Sequence, residues 1–353
     1  MGLFKKKLPI LGLDIGSTSL ILSHGSIKKH TFYLENFWVQ EIPTGIYSNH
    51  GILNFEKLSN EVNSLFDSVD FDFEVSLSLN GMGIISKNII IPKIPKKEIP
   101  DQVKWEAEQV FSQDMSEIEV DYVLLGESEN VPGAPTGTKG WSLLLIGVRK
   151  ELLNKTELLI DKSNKDLVRV DIDAFSIGDF FTDLNVINAS GINGIIEVGF
   201  TSTRIYVVRN KQVVFMREFA IAAEAFFQSI SQTLGLSMED SISLLASPKE
   251  VPQEVVASLQ VQYNSWLHEL QQCEDIYMSQ NETDQLIDQW VVFGGGVKSP
   301  GFFEAIDQGK FKNKISIFNV DKNIKLKGKK VNEQFFELWK PRLISACAVC
   351  GKS

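Results

Sequence analysis

Two short stretches of this 353-residue chain carry residue types suited to holding an anion. One is Asp14-Ile15-Gly16-Ser17-Thr18-Ser19, the other Glu197-Val198-Gly199-Phe200-Thr201-Ser202-Thr203. In each, an apolar run reaches an acid, passes a glycine and small hydroxyl residues, and enters a second apolar run. A turn of small residues sets consecutive backbone N–H groups in a concave nest that accepts anionic oxygens, and Ser and Thr hydroxyls add donors. Two such turns facing each other would clamp the phosphates of a nucleotide from both sides. The acids would then face the same pocket. Carboxylates repel phosphate unless a cation lies between, and Mg²⁺ commonly meets one or two carboxylates through its water ligands. Asp14 and Glu197 are therefore the expected Mg²⁺ residues. A third stretch, Gly294-Gly295-Gly296-Val297, follows an apolar run at 289–293. Three glycines in a row cost backbone entropy and allow close approach, here of a flat ligand such as a purine and its ribose.

Each acid–Gly turn must sit between two strands, so both stretches read as hairpins. Superposed, Asp14 meets Glu197, Gly16 meets Gly199, Thr18 meets Thr201 and Ser19 meets Ser202. The two acids stand 183 residues apart, close to half the chain, which points to duplicated lobes that each begin with the same strand–turn–strand. No Gly-x-x-x-x-Gly-Lys-Ser/Thr loop is present, and no Gly-x-Gly-x-x-Gly runs from a strand into a helix. P-loop and dinucleotide-type Rossmann readings are thereby excluded.

Between the hairpins lies an inserted module. An alternating run ends in prolines at 92 and 95, and Val103, Ala107, Val110 and Phe111 recur at helical spacing between about 100 and 113. Strands follow at 120–125 and 141–148, then a helix from 150 to 163. Trp105 is expected to pack into this module, the alternative being direct contact with a bound peptide. Farther on, 219–247 reads as helices broken at Gly235, with Ser237 and Asp240 spaced as a helix start, and 253–280 as one long helix. Residues 310–330 carry eight lysines, read as solvated loop and edge strands, with an anionic membrane surface or an acidic partner as the alternative.

The composition is that of an ordinary globular chain, 43% hydrophobic and 23% charged. A net charge of −10 argues against a protein-wide basic footprint for nucleic acid. Cys273 stands alone and Cys347 and Cys350 form one CxxC, too few soft ligands for a structural zinc site or a disulfide framework. They read as small residues of a buried terminal helix in a reducing cytoplasm. No run of 18 apolar residues suggests a membrane span, and the basic start lacks the apolar region of a signal peptide.

On these residues the chain resembles the actin-like ATPase superfamily. The two hairpins and Gly294-Gly295-Gly296 look like its phosphate-1, phosphate-2 and adenosine motifs. Within it, the chain resembles over nearly its whole length the PilM family of type IV pilus assembly, itself similar to the division protein FtsA. The narrower likeness lies in Gly2-Leu3-Phe4-Lys5-Lys6-Lys7, in Val170-Asp171-Ile172-Asp173-Ala174-Phe175, and in the run from Arg217-Glu218-Phe219 through Leu234-Gly235-Leu236-Ser237. The most specific segment is Lys104-Trp105-Glu106-Ala107-Glu108-Gln109.

The resemblance implies an α/β actin-like ATPase fold of duplicated ribonuclease-H-like lobes, with an FtsA/PilM-type 1C subdomain inserted in lobe one. It implies lobe one at 1–82, the 1C subdomain at 83–165, a connecting segment at 166–190, lobe two at 191–330 and a C-terminal helix returning to lobe one at 331–353. It implies ATP between the lobes, against Gly16, Ser17, Thr18, Ser19, Gly199, Thr201, Ser202, Thr203, Gly294, Gly295, Gly296 and Val297. Asp173 would orient an attacking water, with Asp14 catalytic and Asp14 and Glu197 steering Mg²⁺. At most a slow Mg²⁺-dependent ATPase is implied. The implied partner is a PilN-like bitopic membrane protein, gripped by its cytoplasmic N-terminal peptide, alongside other pilus assembly-platform proteins. The place would be cytoplasmic, at the inner face of a bacterial inner membrane, with membrane association indirect and self-association open. Two other functions fit the same fold: an FtsA-like filament-forming membrane-associated protein, and a small-molecule kinase or phosphatase. Five residues depart from the resemblance. Glu197 stands where Asp is usual, Phe200 where a small residue is usual, Ala222-Ala223 where relatives often have two glycines, and Leu244 near where an adenosine-facing Lys is expected.

Overall fold

A computed structural model describes residues 8–112, 114–246, 252–281, 285–312, 314–328 and 331–351. The basic start at residues 2–7 lies outside the described residues. The chain opens with an antiparallel meander of β1 (Ile10–Ile15), β2 (Ser19–Lys28) and β3 (Thr31–Glu41). β4 (Tyr47–Ser48) and β5 (Gly51–Ile52) make a short hairpin. α1 (Phe55–Asp67) starts where the Asn54 side chain accepts the Lys57 amide, which satisfies one of the free amides of its first turn. α1 buries Leu58, Val62, Leu65 and Phe66 in one cluster with Leu11, Leu13, Leu20 and Leu22 of the meander. β6 (Glu74–Leu79) then pairs parallel to β1.

The next five elements stand somewhat apart. β7 (Ile84–Pro92), β8 (Ile118–Ser128) and β9 (Gly140–Arg149) form their own antiparallel sheet in the order β7-β9-β8. α2 (Ile99–Val110) buries Ile99, Val103 and Ala107, each four residues on, in one cluster with Trp141, Leu143 and Leu145. Trp105 lies about 200° around the helix from Val103 and is 55% exposed, so the expectation that it packs into this module is corrected. α3 (Lys150–Asp161) leads back to β10 (Leu167–Ile172), which pairs parallel to β6, and α4 (Asp173–Asp183) follows.

The second half repeats the opening. β11 (Ile192–Val198), β12 (Thr203–Arg209) and β13 (Gln212–Phe219) form a second antiparallel meander. α5 (Ala223–Leu234) ends at Gly235 in the left-handed region, and α6 (Met238–Ala246) starts where Ser237 and Asp240 exchange hydrogen bonds of 3.0 and 2.7 Å. α7 (Gln253–Gln280) buries Leu259, Tyr263, Trp266 and Leu270 in one core with strand residues such as Ile205 and Val207 of β12. β14 (Gln289–Phe293) pairs parallel to β11, α8 (Phe302–Ile306) follows the glycines, and β15 (Ile315–Ile317) pairs parallel to β14. The two large sheets read β3-β2-β1-β6-β10 and β13-β12-β11-β14-β15, the same antiparallel meander followed by two parallel strands.

After α9 (Val320–Asn323), β16 (Ile324–Leu326) pairs parallel to β3 and becomes the sixth strand of the first sheet. The chain has therefore recrossed to the first lobe before residue 331, the boundary expected from sequence. Three residues that include Lys325 are too short and too polar for an alternating pattern to show. Lys312, Lys322, Lys325 and Lys327 are exposed or half-exposed, as edge strands and loop require. α10 (Glu333–Trp339) and α11 (Ile344–Gly351) close the chain. α4 and α11 share one apolar core with residues of both sheets, among them Ile21, Phe32, Ile195 and Phe293. A side chain at Gly12 would overlap the Ala346 carbonyl, so the glycine lets α11 lie against β1. Cys347 and Cys350 are buried and unbridged there.

Candidate functional site

The two acid–Gly turns face each other across one cleft. Their local geometry is the same. The Gly16 amide donates to the Ser19 carbonyl at 2.9 Å, and the Gly199 amide to the Ser202 carbonyl at 3.0 Å. The turns touch through Thr201 Oγ1 and Ser17 Oγ at 3.4 Å, a long and weak hydrogen bond between the lobes. The cleft is lined by Asp14, Gly16, Ser17, Thr18, Ser19, Glu197, Gly199, Thr201, Ser202, Gly294, Gly295 and Gly296. Most residues expected at the site from sequence are thus brought together.

Three are not among the lining residues. Thr203 is fully buried, where its hydroxyl donates to the Ile221 carbonyl at 2.7 Å and accepts from the Trp266 indole at 3.0 Å. Val297 packs against the second-lobe core. Asp173 begins α4 beneath the cleft, with both carboxylate oxygens engaged. Oδ1 accepts the Ala174 amide at 2.7 Å, and Oδ2 accepts the Tyr206 hydroxyl at 2.7 Å. The glycines also have a purpose inside the protein. Gly294 has φ of 105°, and a side chain there would collide with the Val198 carbonyl. The run lets the strand end of one hairpin and the β14 turn meet backbone to backbone.

Sequence reasoning passed over Arg204, although the signal was present. In an antiparallel hairpin the residue opposite Glu197 follows from the turn, and the pairing Glu197 with Arg204 repeats the pairing Asp14 with Ile21. Arg204 Nη2 lies 2.7 Å from Glu197 Oε1, and its Nε lies 3.3 Å from Asp173 Oδ2. Ser345 of α11 also donates to Glu197 Oε1, at 3.1 Å. Glu197 Oε2 is buried without a hydrogen-bond partner. Tyr47 and Asn80, joined at 3.1 Å, also line the cleft, as do Arg342, Phe200 and Ala223.

The electrostatics follow from this crowding. Burial, and next the charge of Glu197, push the Asp14 carboxyl up to about 7, against a smaller downward pull from Arg204. Burial also pushes Asp173 up to about 7, although Arg204 and the Tyr206 hydroxyl pull it down. Burial works against the charge of Arg204, but Glu197, Tyr206, Asp173 and Asp14 outweigh it and hold the guanidinium charged. Burial raises Glu218, which lies near the same arginine.

The arrangement can bind an anion between two sets of backbone amides and hydroxyls. Of the two residues assigned to Mg²⁺, Glu197 already shares Oε1 with the Arg204 guanidinium and the Ser345 hydroxyl, and only its Oε2 is left without a partner, so a metal ion there would have to share Glu197 with a fixed cation. Among the described residues, no group of three or more His, Cys, Asp or Glu is arranged to hold a metal ion.

Among solved structures, the chain is similar to a PilM-PilN type IV pilus biogenesis complex, with a TM-score of 0.79, 16% identity and 98% of each chain covered. It is also similar to the ethanolamine utilization protein EutJ from Carboxydothermus hydrogenoformans, with a TM-score of 0.57, 9% identity and coverage of 96% and 88%. A third likeness is to Ta0583, an archaeal actin homolog, with a TM-score of 0.46, 10% identity and coverage of 97% and 98%. The fold is the actin-like ATPase fold. The family model described as type IV pilus assembly protein PilM matches residues 12–351. With that match over almost the whole chain, on a duplicated fold with paired acid–Gly hairpins, the chain belongs to the PilM family of type IV pilus assembly proteins.

Proposed function

We propose that this chain is an ATP-binding scaffold of the type IV pilus inner-membrane assembly platform. In this reading, nucleotide-dependent lobe closure sets its grip on the cytoplasmic N-terminal tail of a PilN-like membrane protein. The observation that carries the reading is the pair of equivalent turns, Gly16–Ser19 and Gly199–Ser202, meeting across one cleft with a long hydroxyl contact between them. ATP would supply phosphate oxygens that both turns can bind. Its phosphates would be held by backbone amides and by Ser17, Thr18, Thr201 and Ser202, and its nucleoside would lie along Gly294–Gly296. The weak Thr201–Ser17 contact would give way to bonds from each lobe to one ligand. A ligand shifts lobe angle only by binding one angle more tightly than another, and a ligand held by both lobes does that.

Residues 83–165 would be the inserted subdomain that receives the peptide. Its sheet is tied to the second lobe as well as the first. Asn88 Nδ2 on β7 donates to the Val214 carbonyl at 3.1 Å and to Asn281 Oδ1 at 3.0 Å. Gln212 Nε2 donates to the Leu124 carbonyl of β8 at 3.2 Å. A change in lobe angle must move or break these bonds, which gives nucleotide a mechanical route to the subdomain. Asp173, with both oxygens held, suits nucleotide retention better than water activation. No described helix is long and apolar enough to cross a membrane, and the partner would supply the anchor.

Pull-down from a bacterial inner-membrane extract, with ATP present or removed, tests the proposal. Recovery of a PilN-like protein that changes with ATP is expected. Equal recovery in both conditions removes the gating, and no recovery removes the scaffold.

A further inference from the structure

The cleft contains its own cation. Arg204 occupies in the second lobe the place that Ile21 takes in the first, directly across from the hairpin acid. It is 14% exposed and within 2.7 Å of Glu197 and 3.3 Å of Asp173. Ser345 and Tyr206 add hydroxyl donors to the same two carboxylates. A divalent ion held by Asp14 and Glu197 would share Glu197 with this guanidinium, whose Nη2 already lies 2.7 Å from Oε1, and their like charges repel. Displacing the arginine would leave it buried without its carboxylates, the arrangement that costs most. Asp14 and Asp173 are pushed up to about 7, so near neutral pH these two acids carry less than their formal charge.

On the reading that the cleft binds ATP, we propose that Arg204 is the resident counter-cation of the site and that this chain takes the nucleotide without a metal ion held by its own carboxylates. Arg204 is then a positioning residue. It quiets Glu197 and Asp173, so that phosphate meets the amides of the two turns rather than bare carboxylates. A site whose acids lacked a fixed cation would need Mg²⁺ to accept the same phosphates.

The test is ATP binding to the full chain by titration calorimetry, in EDTA and in excess Mg²⁺. Wild type is expected to bind within about threefold of the same affinity in both, a difference under about 0.7 kcal/mol. Affinity at least tenfold tighter with Mg²⁺ overturns the inference while leaving ATP binding intact. No binding in either buffer overturns ATP binding itself, and this inference with it. Arg204→Gln should make binding depend on Mg²⁺ by tenfold or more, and Arg204→Lys should restore metal independence. Should Arg204→Gln fail to fold, the wild-type ratio decides alone. An Arg204→Gln protein that folds and still binds equally in both buffers also overturns the role given to the arginine.

Discussion

Replacing Arg204 by Met removes the one cation within ion-pair distance of Glu197 and Asp173 among the described residues, while keeping similar length and apolar bulk. The contacts are 2.7 and 3.3 Å, and at an effective dielectric of about 20 they correspond to roughly 6 and roughly 5 kcal/mol of attraction before desolvation. Desolvation of the arginine offsets much of that. Measured losses for removing one partner of a buried pair are about 3–5 kcal/mol, and that range is expected at pH 8. The loss should depend on pH in a definite sense. Without Arg204, the folded carboxylates hold protons more tightly than their unfolded counterparts. Between about pH 4 and their raised values the folded variant therefore binds more protons, and its stability recovers as pH falls. Each acid so affected returns up to about 1.4 kcal/mol per pH unit in that window. Urea unfolding followed by tryptophan fluorescence at pH 8 and pH 5.5 measures both numbers, with Trp266 beside Thr203 as a nearby probe. In a Glu197→Gln background the Arg204→Met loss should shrink by about 1–3 kcal/mol, because the two residues are coupled. A loss below about 1 kcal/mol, or one equal at both pH values, would refute this account of the buried cluster.

Three further outcomes are expected. Asp14→Asn should be the more stable protein above pH 7 by about 1–3 kcal/mol, because the wild-type carboxyl, held up to about 7, favours folding only while protonated. Wild-type stability should accordingly fall as pH rises from about 4 to 7, and the variant's thermal denaturation should show a flatter profile over that range. Gly294→Ala combines a positive φ with a collision against Val198 and should cost about 2–4 kcal/mol by thermal or urea unfolding, whereas Gly137→Ala, in open space, should cost only the backbone term of about 1 kcal/mol. Asn88→Ala should cost about 1–2 kcal/mol for its two lost hydrogen bonds and should at least halve any effect of ATP on peptide affinity.

Much of this fold was legible because its strongest local signals agree with its topology. Acid, glycine and hydroxyls between two apolar runs specify a hairpin, and two such hairpins half a chain apart announce the repeat that the matching sheet orders display. The long helix at Gln253–Gln280 and the Ser237–Asp240 start were equally plain, since each rests on residues close in sequence. Contacts between distant residues were hidden. β16 is three residues long and takes its place only by pairing with β3, at the far end of the sequence. Trp105 was expected to pack into its own module, but the 100° step of the helix turns it away from Val103 and Ala107. Thr203 matched the hairpin pattern, yet its hydroxyl is taken by Trp266 and Ile221, partners that no motif spacing reveals. Arg204 was readable from hairpin register alone, but its effect on three carboxylates from different elements required the folded cleft.

The central claim is that nucleotide in the cleft alters the grip on a membrane-protein tail. Fluorescence anisotropy of a labelled synthetic peptide, the cytoplasmic N-terminal segment of the PilN-like protein of the same organism, measures it with the purified chain. The account predicts saturable binding whose Kd shifts at least fivefold between ATP-saturated and nucleotide-free protein, about 1 kcal/mol of coupling. The same Kd with and without ATP, in protein shown to bind both ligands, would contradict it.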